Sequence, residues 1–256
     1  MKFSIITPTY KRSDFLTRAV ESVIHQTYID WEMIIVNDSP DDSSYDSFEK
    51  RIRDYRIKYF KNKNNLGVNY SRNFALDRIS PDSDFVIFLD DDDWFANNAL
   101  ENFVSLISAN RNDNWFVTNR ELKSGGPLTY APENNKHYSY ARDYLILKNI
   151  KGDATHCIKT DLIKNIRFAK SIKQGEEWFF FYQIGLKSKF FYSNHDSTIT
   201  EGYNRVHGLN FRNRTRSEQF RTLIELVKNG SQLNLIYHPT FLIYLLVRFV
   251  RILVKS

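Results

Sequence analysis

Phe85-Val86-Ile87-Phe88-Leu89-Asp90-Asp91-Asp92-Asp93-Trp94 runs from five apolar residues straight into four consecutive carboxylates. An uninterrupted apolar run of this length reads as a strand buried on both faces, and in open α/β sheets ligands gather just beyond the carboxyl ends of such strands. Four adjacent anions repel one another unless a cation or a set of donors compensates them. The stretch therefore points to a divalent metal, because hard cations take carboxylate oxygens. The plainer alternative is a solvated acidic turn whose Asp caps the helix beginning near Asn97. It accounts for one carboxylate and leaves three unexplained.

Toward the N-terminus the same kind of strand recurs, at residues 2–6, 31–36 and 57–60. Between them Phe15, Leu16, Ala19, Val20, Val23 and Ile24 fall at helical spacing, and helices are expected over 44–53, over 68–79 behind Gly67, and over 97–109. Strands alternating with helices imply a mostly parallel sheet with helices on both faces. Beyond residue 112 the regularity fades. One strand is expected at 115–119, a turn at Ser124-Gly125-Gly126-Pro127, and helices over 139–149 and 178–187. No internal repeat or linker interrupts the 256 residues, so one compact α/β domain with a C-terminal extension is expected.

The formal charge of +6 is unevenly placed, since residues 202–256 hold nine Lys and Arg against two Glu while the rest is close to neutral. A neutral body argues against a nucleic-acid partner, and a basic tail suggests phosphate-bearing ligands or an anionic membrane surface. In the segment from Pro239, Tyr244, Arg248, Arg251 and Lys255 share one helical stripe beside the apolar run 241–247. It is too short and too charged to span a bilayer, and suits an amphipathic helix lying in the interface with its cations toward the headgroups. Packing on the protein's own core, or on a second subunit, is the alternative. A lone Cys157 and the lack of a signal-like apolar stretch suggest a cytoplasmic protein, peripheral on the inner leaflet.

Six motifs then stand in order along about 90 residues: Ser4-Ile5-Ile6-Thr7-Pro8-Thr9-Tyr10-Lys11-Arg12, Ser22-Val23-Ile24-His25-Gln26-Thr27, Ile34-Ile35-Val36-Asn37-Asp38-Ser39, Asn65-Leu66-Gly67, Ser71-Arg72-Asn73 and Phe88-Leu89-Asp90-Asp91-Asp92-Asp93. Together they resemble the family 2 glycosyltransferases of the GT-A fold, of the bacterial surface-polysaccharide type. A weaker match continues through Gly175-Glu176-Glu177-Trp178 to His207. The resemblance implies a nucleotide-sugar-binding half over residues 1–111 and an acceptor-binding half over 112–215, followed by a helical extension over 216–256 for which the charge pattern suggests membrane association.

For the site, the resemblance implies Mn²⁺ or Mg²⁺ at Asp92, with Asp90 at the other end of a DxD-type motif and Asp91 nearer the ribose. It assigns the nucleotide to Thr7, Pro8, Thr9 and Tyr10 after the first strand, and to Asp38 and Arg72, a pair that fits a uracil ring. Glu177 is implied as the base that takes the acceptor's proton, where the family usually carries Asp. The extra methylene shifts the carboxylate by roughly 1 Å, enough to matter for positioning, and leaves Glu176 or Asp153 as alternatives. His207 is implied to close over the diphosphate, a role that Arg205, Arg212 and Arg214 also suit.

The implied activity is an inverting, metal-dependent transfer from a UDP-sugar to a hydroxyl of a glycan or lipid-linked oligosaccharide. Two other readings compete. A nucleotidyltransferase would carry a glycine-rich phosphate loop after the first strand, where this chain has Thr7-Pro8-Thr9-Tyr10-Lys11-Arg12. A degenerate transferase serving as a membrane scaffold would be expected to have lost acids from the run at 90–93.

Overall fold

The structure, a computed structural model, describes residues 1–172, 177–201 and 215–254. The first half alternates as expected: β1 (Phe3–Thr9), α1 (Ser13–Ile24), β2 (Trp31–Asn37), α2 (Ser44–Arg51), β3 (Ile57–Lys61), α3 (Val68–Leu76) and β4 (Phe85–Phe88). β1 pairs in parallel with β2 and β4, and β2 with β3. Every residue of β1 and β2 is buried, because the sheet has a core on each face. Ile6, Ile34, Val36 and Val86 enter one core, while Ile5, Met33, Ile35 and Ile87 enter the other. On that second face α1 contributes Leu16, Ala19, Val20 and Val23, and α4 (Ala99–Ala109) contributes Leu100, Phe103 and Ile107.

Beyond β4 lie strands that the sequence pattern did not predict. These are β5 (Asp93–Phe95), β7 (Lys136–Tyr138), β8 (Ala154–Lys159) and β9 (Phe190–Thr200), beside the expected β6 (Trp115–Leu122). The strand order is β3-β2-β1-β4-β8-β6-β9-β5, with β7 on β9. β8 lies antiparallel between β4 and β6, and β9 is parallel to β6 but antiparallel to β5 and β7. The sheet is thus parallel through its helical crossovers and mixed beyond β4. β9 buries polar residues that pair with others on β8 and β6: Thr155 Oγ1 bonds Thr198 Oγ1 at 2.8 Å, and Thr118 Oγ1 bonds Ser197 Oγ at 2.8 Å. Such strands show neither an apolar run nor a clean alternation.

Residues 139–149, expected to be helical, wind as a π-helix over Tyr140–Ile146. A short α5 (Thr160–Ile163) follows β8, and α6 (Glu177–Gly185) agrees with the expected helix over 178–187.

At the C-terminal end, Thr215 and Glu218 form a reciprocal capping box that starts α7 (Arg216–Gln232). A 3₁₀ turn at Leu235–Tyr237 leads to α8 (Pro239–Val254). Leu226, Phe241, Leu245 and Ile252 enter the same core as α6, so the expected extension is joined to the body by a continuous apolar contact. Gly230 permits it: a Cβ there would lie 2.5 Å from the Phe241 ring. Arg216 closes the hairpin by donating to the carbonyls of Ile252 and Leu253, at 3.1 and 2.7 Å. Tyr244 and Arg248 are half-buried, while the opposite side of α8 is open. Among the described residues no helix is long and apolar enough to cross a membrane.

Candidate active site

The carboxyl ends of β1, β2 and β4 open into a cavity of about 910 Å³ whose walls include Pro8, Thr9, Tyr10, Arg12, Asp38, Arg72, Asp90, Asp91, Asp92 and Glu177. Residues from the two halves of the chain meet here because β8 sits next to β4, bringing Asp153 and His156 into the same wall. Thr7 is fully buried outside the lining, and its Oγ1 has no hydrogen-bond partner among the described residues. Glu176, Arg205, His207, Arg212 and Arg214 lie outside the described residues.

The four carboxylates meet different partners. Asp90 accepts from Arg72 Nη2 at 2.7 Å and lies 3.9 Å from Arg120. Burial opposes its ionisation, but Arg72 and Arg120 prevail and hold its carboxyl below the usual range. Asp91 accepts from Thr9 Oγ1 at 2.8 Å, and burial, reinforced by Asp92, pushes it up to about 7. Asp92 accepts from Arg12 Nη1 at 2.7 Å, and burial followed by repulsion from Asp90 raises it. Asp93, nearly fully buried, pairs with Arg120 Nη1 at 2.8 Å, and burial lifts it to about 7 against that attraction.

Arg72 joins the two halves of the site. While Nη2 reaches Asp90, Nη1 donates to Glu177 Oε1 at 2.7 Å, and Nε has no partner among the described residues. The base expected from the sequence and the acid run are therefore one guanidinium apart. Asn73, one residue on, holds the backbone of Phe168: its side chain both donates to and accepts from it, at 2.9 Å each. Asn69 adds bonds to the carbonyls of Ala169 and Ile172, at 3.1 and 2.7 Å.

Asp38 caps the entry to α3. Its Oδ1 accepts from Leu66 N at 2.9 Å and Asn62 Nδ2 at 2.7 Å, and its Oδ2 from Gly67 N at 2.7 Å. Gly67 adopts φ +91°, open to glycine and strained for other residues, which turns its amide toward that carboxylate. Arg72 is not paired with Asp38 here; it reaches Asp90 and Glu177 instead.

The sequence reading assigned no part to Arg12, Arg120, His156 or the aromatic wall of Tyr140, Tyr144, Trp178 and Phe181, all of which line the cavity. Arg12 lies inside the first motif, so proximity to β1 could have drawn attention to it. Arg120 and His156 carry no local signal; long-range strand pairing alone brings them in.

Among the described residues no three His, Cys, Asp or Glu side chains are grouped as a metal cage. Asp90 and Asp92 offer carboxylate oxygens beside unspent donors at Arg72 Nε and Arg120 Nε. Such a set fits Mg²⁺ or Mn²⁺ held by one or two carboxylates together with substrate phosphates.

The model of Glycosyl transferase family 2 matches residues 4–161. The chain is 33% identical over 186 residues to the minor teichoic acid biosynthesis protein GgaB of Bacillus subtilis, covering 68% of this chain and 20% of that protein. It is 31% identical over 182 residues to the GalNAc(5)-diNAcBac-PP-undecaprenol beta-1,3-glucosyltransferase of Campylobacter jejuni, covering 68% and 57%. It thus spans about a fifth and somewhat over half of these relatives' lengths. The fold is shared with S. aureus TarS 1–349 in complex with UDP-GlcNAc, at a TM-score of 0.72 and 21% identity over 90% of this chain and 67% of that one.

Proposed function

Since the chain belongs to glycosyl transferase family 2, we propose that it transfers a sugar from a UDP-sugar to a hydroxyl of a glycan or lipid-linked acceptor in bacterial surface-polysaccharide synthesis, with inversion at the anomeric carbon. The observation that carries this reading is the Arg72 bridge, which sets Asp90 and Glu177 each 2.7 Å from one guanidinium inside one cavity. An acid run for the donor phosphates and a carboxylate for the acceptor are the two halves of a single displacement. The UDP-GlcNAc in the TarS structure and the undecaprenol diphosphate in the Campylobacter enzyme's name support the donor and acceptor classes.

Asp92, with Asp90, would hold Mg²⁺ or Mn²⁺, which when bound supplies Lewis-acid stabilisation of the charge developing on the departing diphosphate. Asp38, Pro8, Thr9 and Tyr10 border the space for the nucleoside, and Asp91 reaches it held by Thr9. Arg12 and Arg72 offer guanidinium donors that phosphate oxygens can take over from the carboxylates. Glu177 accepts the proton of the attacking hydroxyl at a carboxylate oxygen. As that hydroxyl oxygen bonds to the anomeric carbon, the bond from that carbon to the phosphate oxygen breaks and the pair leaves with the nucleotide. A single base and no protein nucleophile give inversion. His207 is assigned to the diphosphate on the resemblance alone.

Calorimetric titration with UDP and Mn²⁺, paired with a transfer assay, tests this. Asp92→Asn is expected to lose metal-dependent UDP binding and turnover. Glu177→Gln is expected to keep UDP binding while transfer falls by roughly 10²–10⁴-fold, the usual contribution of a general base. An Asp92→Asn protein that binds and turns over normally would overturn the metal assignment.

A further inference from the structure

α8 is apolar on both sides. Phe241, Leu245 and Ile252 are buried against the body, with Phe241 beside Trp178, Phe179 and Tyr182. At 100° per residue the outward arc holds Leu242, Ile243, Leu246, Val247, Phe249, Val250, Leu253 and Val254, all exposed, with Leu246 at 62% and Val254 at 73%. An outward face of a surface helix is normally its polar one. Here eight large apolar side chains occupy it, and Ile224 and Val227 of α7 are exposed too. Contiguous exposed apolar surface of this kind marks an interaction site.

We infer that the outward face of α8 docks the protein on an anionic lipid bilayer. Charge decides for lipid over another protein: α8 carries no acidic residue, and the exposed Arg251 lies at the edge of the apolar arc, near enough to the exposed Lys148 for the two cations to repel. An apolar face with flanking cations suits immersion at the headgroup boundary. At 16 residues α8 is about 24 Å long, short of a ~30 Å hydrocarbon core, so it lies along the surface. The stripe expected to face the headgroups does not do so as a whole: Tyr244 and Arg248 are half-buried on the side of Phe241 and Ile252, and Arg251 is the one of its described residues that borders the exposed arc.

The docking face is mechanically tied to the site. Tyr244 stands 4.3 Å from Trp178, ring to ring, and Trp178 lines the cavity next to Glu177. A bilayer under α8 therefore lies behind the cavity wall that carries the base. This places a membrane where a lipid-linked acceptor would be presented, and for that purpose the inference rests on the proposed function. Its test does not.

Co-sedimentation with phosphatidylglycerol-containing vesicles, against pure phosphatidylcholine, reads docking directly. The full chain is expected to pellet with the anionic vesicles. Leu246→Glu and Val250→Glu, which leave the buried side of α8 intact, should each lower the partition coefficient by roughly tenfold or more. Arg251→Gln should weaken binding to anionic vesicles selectively. UDP titration of the same variants should be unchanged, which separates failure of docking from failure of the proposed chemistry. Absence of pelleting would overturn the inference, as would a dimer in light scattering that Leu246→Glu dissociates.

Discussion

At the scale of single residues, His156 shows how the cavity constrains protonation. Its ring stacks on Phe181 at 4.0 Å, and its Nδ1 accepts from Trp115 Nε1 at 3.1 Å, so the neutral form with hydrogen on Nε2 is the one that fits. Burial, assisted by Arg120, pulls its pKa down to about 3 from 6.5. A folded value below the unfolded one means the unfolded chain binds the extra proton, so this residue's contribution is complete above pH 6.5 and is lost as pH falls toward 3. Within that window the native state should lose about 1.4 kcal/mol per pH unit from this residue. Urea unfolding at pH 7 and pH 4.5 should show a smaller difference in His156→Gln than in the parent, and parallel losses would contradict the assignment. The carboxylates were easier to read than this histidine, because four adjacent acids are improbable without a task, whereas one His in a polar strand signals nothing.

At the scale of elements, α3 does more than cover the sheet. Ser71-Arg72-Asn73 presents Arg72 to the acids while Asn73 grips the backbone of Phe168 from both sides. Asn73→Ala would leave a buried N–H and a buried C=O of the 168 segment unpaired, and is expected to destabilise the protein by about 1–3 kcal/mol in denaturant titration. Transfer activity should drop with UDP binding retained, because Phe168 lines the cavity beneath Arg72, the guanidinium that holds Glu177. The elements whose existence was legible are those with a repeating signal: apolar runs in β1, β2 and β4, and i, i+3, i+4 spacing in α1. β8 and β9 escaped because their buried positions include Thr155, His156, Ser197 and Thr198, whose hydroxyls and ring find partners on strands far away in sequence.

At the scale of the whole molecule, the body and the C-terminal hairpin share one core, and Gly230 is the point where they interlock. Gly230→Val would drive a side chain into the Phe241 ring, which is fully buried and has no space to yield. A loss of about 1–3 kcal/mol is expected from such overpacking, read as a lower thermal midpoint. If α8 instead packed loosely, the midpoint would be unmoved. The amino-acid sequence by itself determined the α/β class, the parallel half of the sheet and the position of the acid run at a strand's carboxyl end. Each of these is written in local periodicity or in an adjacency that costs energy without a purpose. Tertiary structure decided what depends on neighbours distant in sequence. It brought Arg120 and His156 into the cavity, split the four aspartates into differently charged environments, spanned Asp90 and Glu177 with Arg72, and chose which side of α8 is buried. A helix that is apolar on both sides has no intrinsic inner face, and only the core against which it packs selects one.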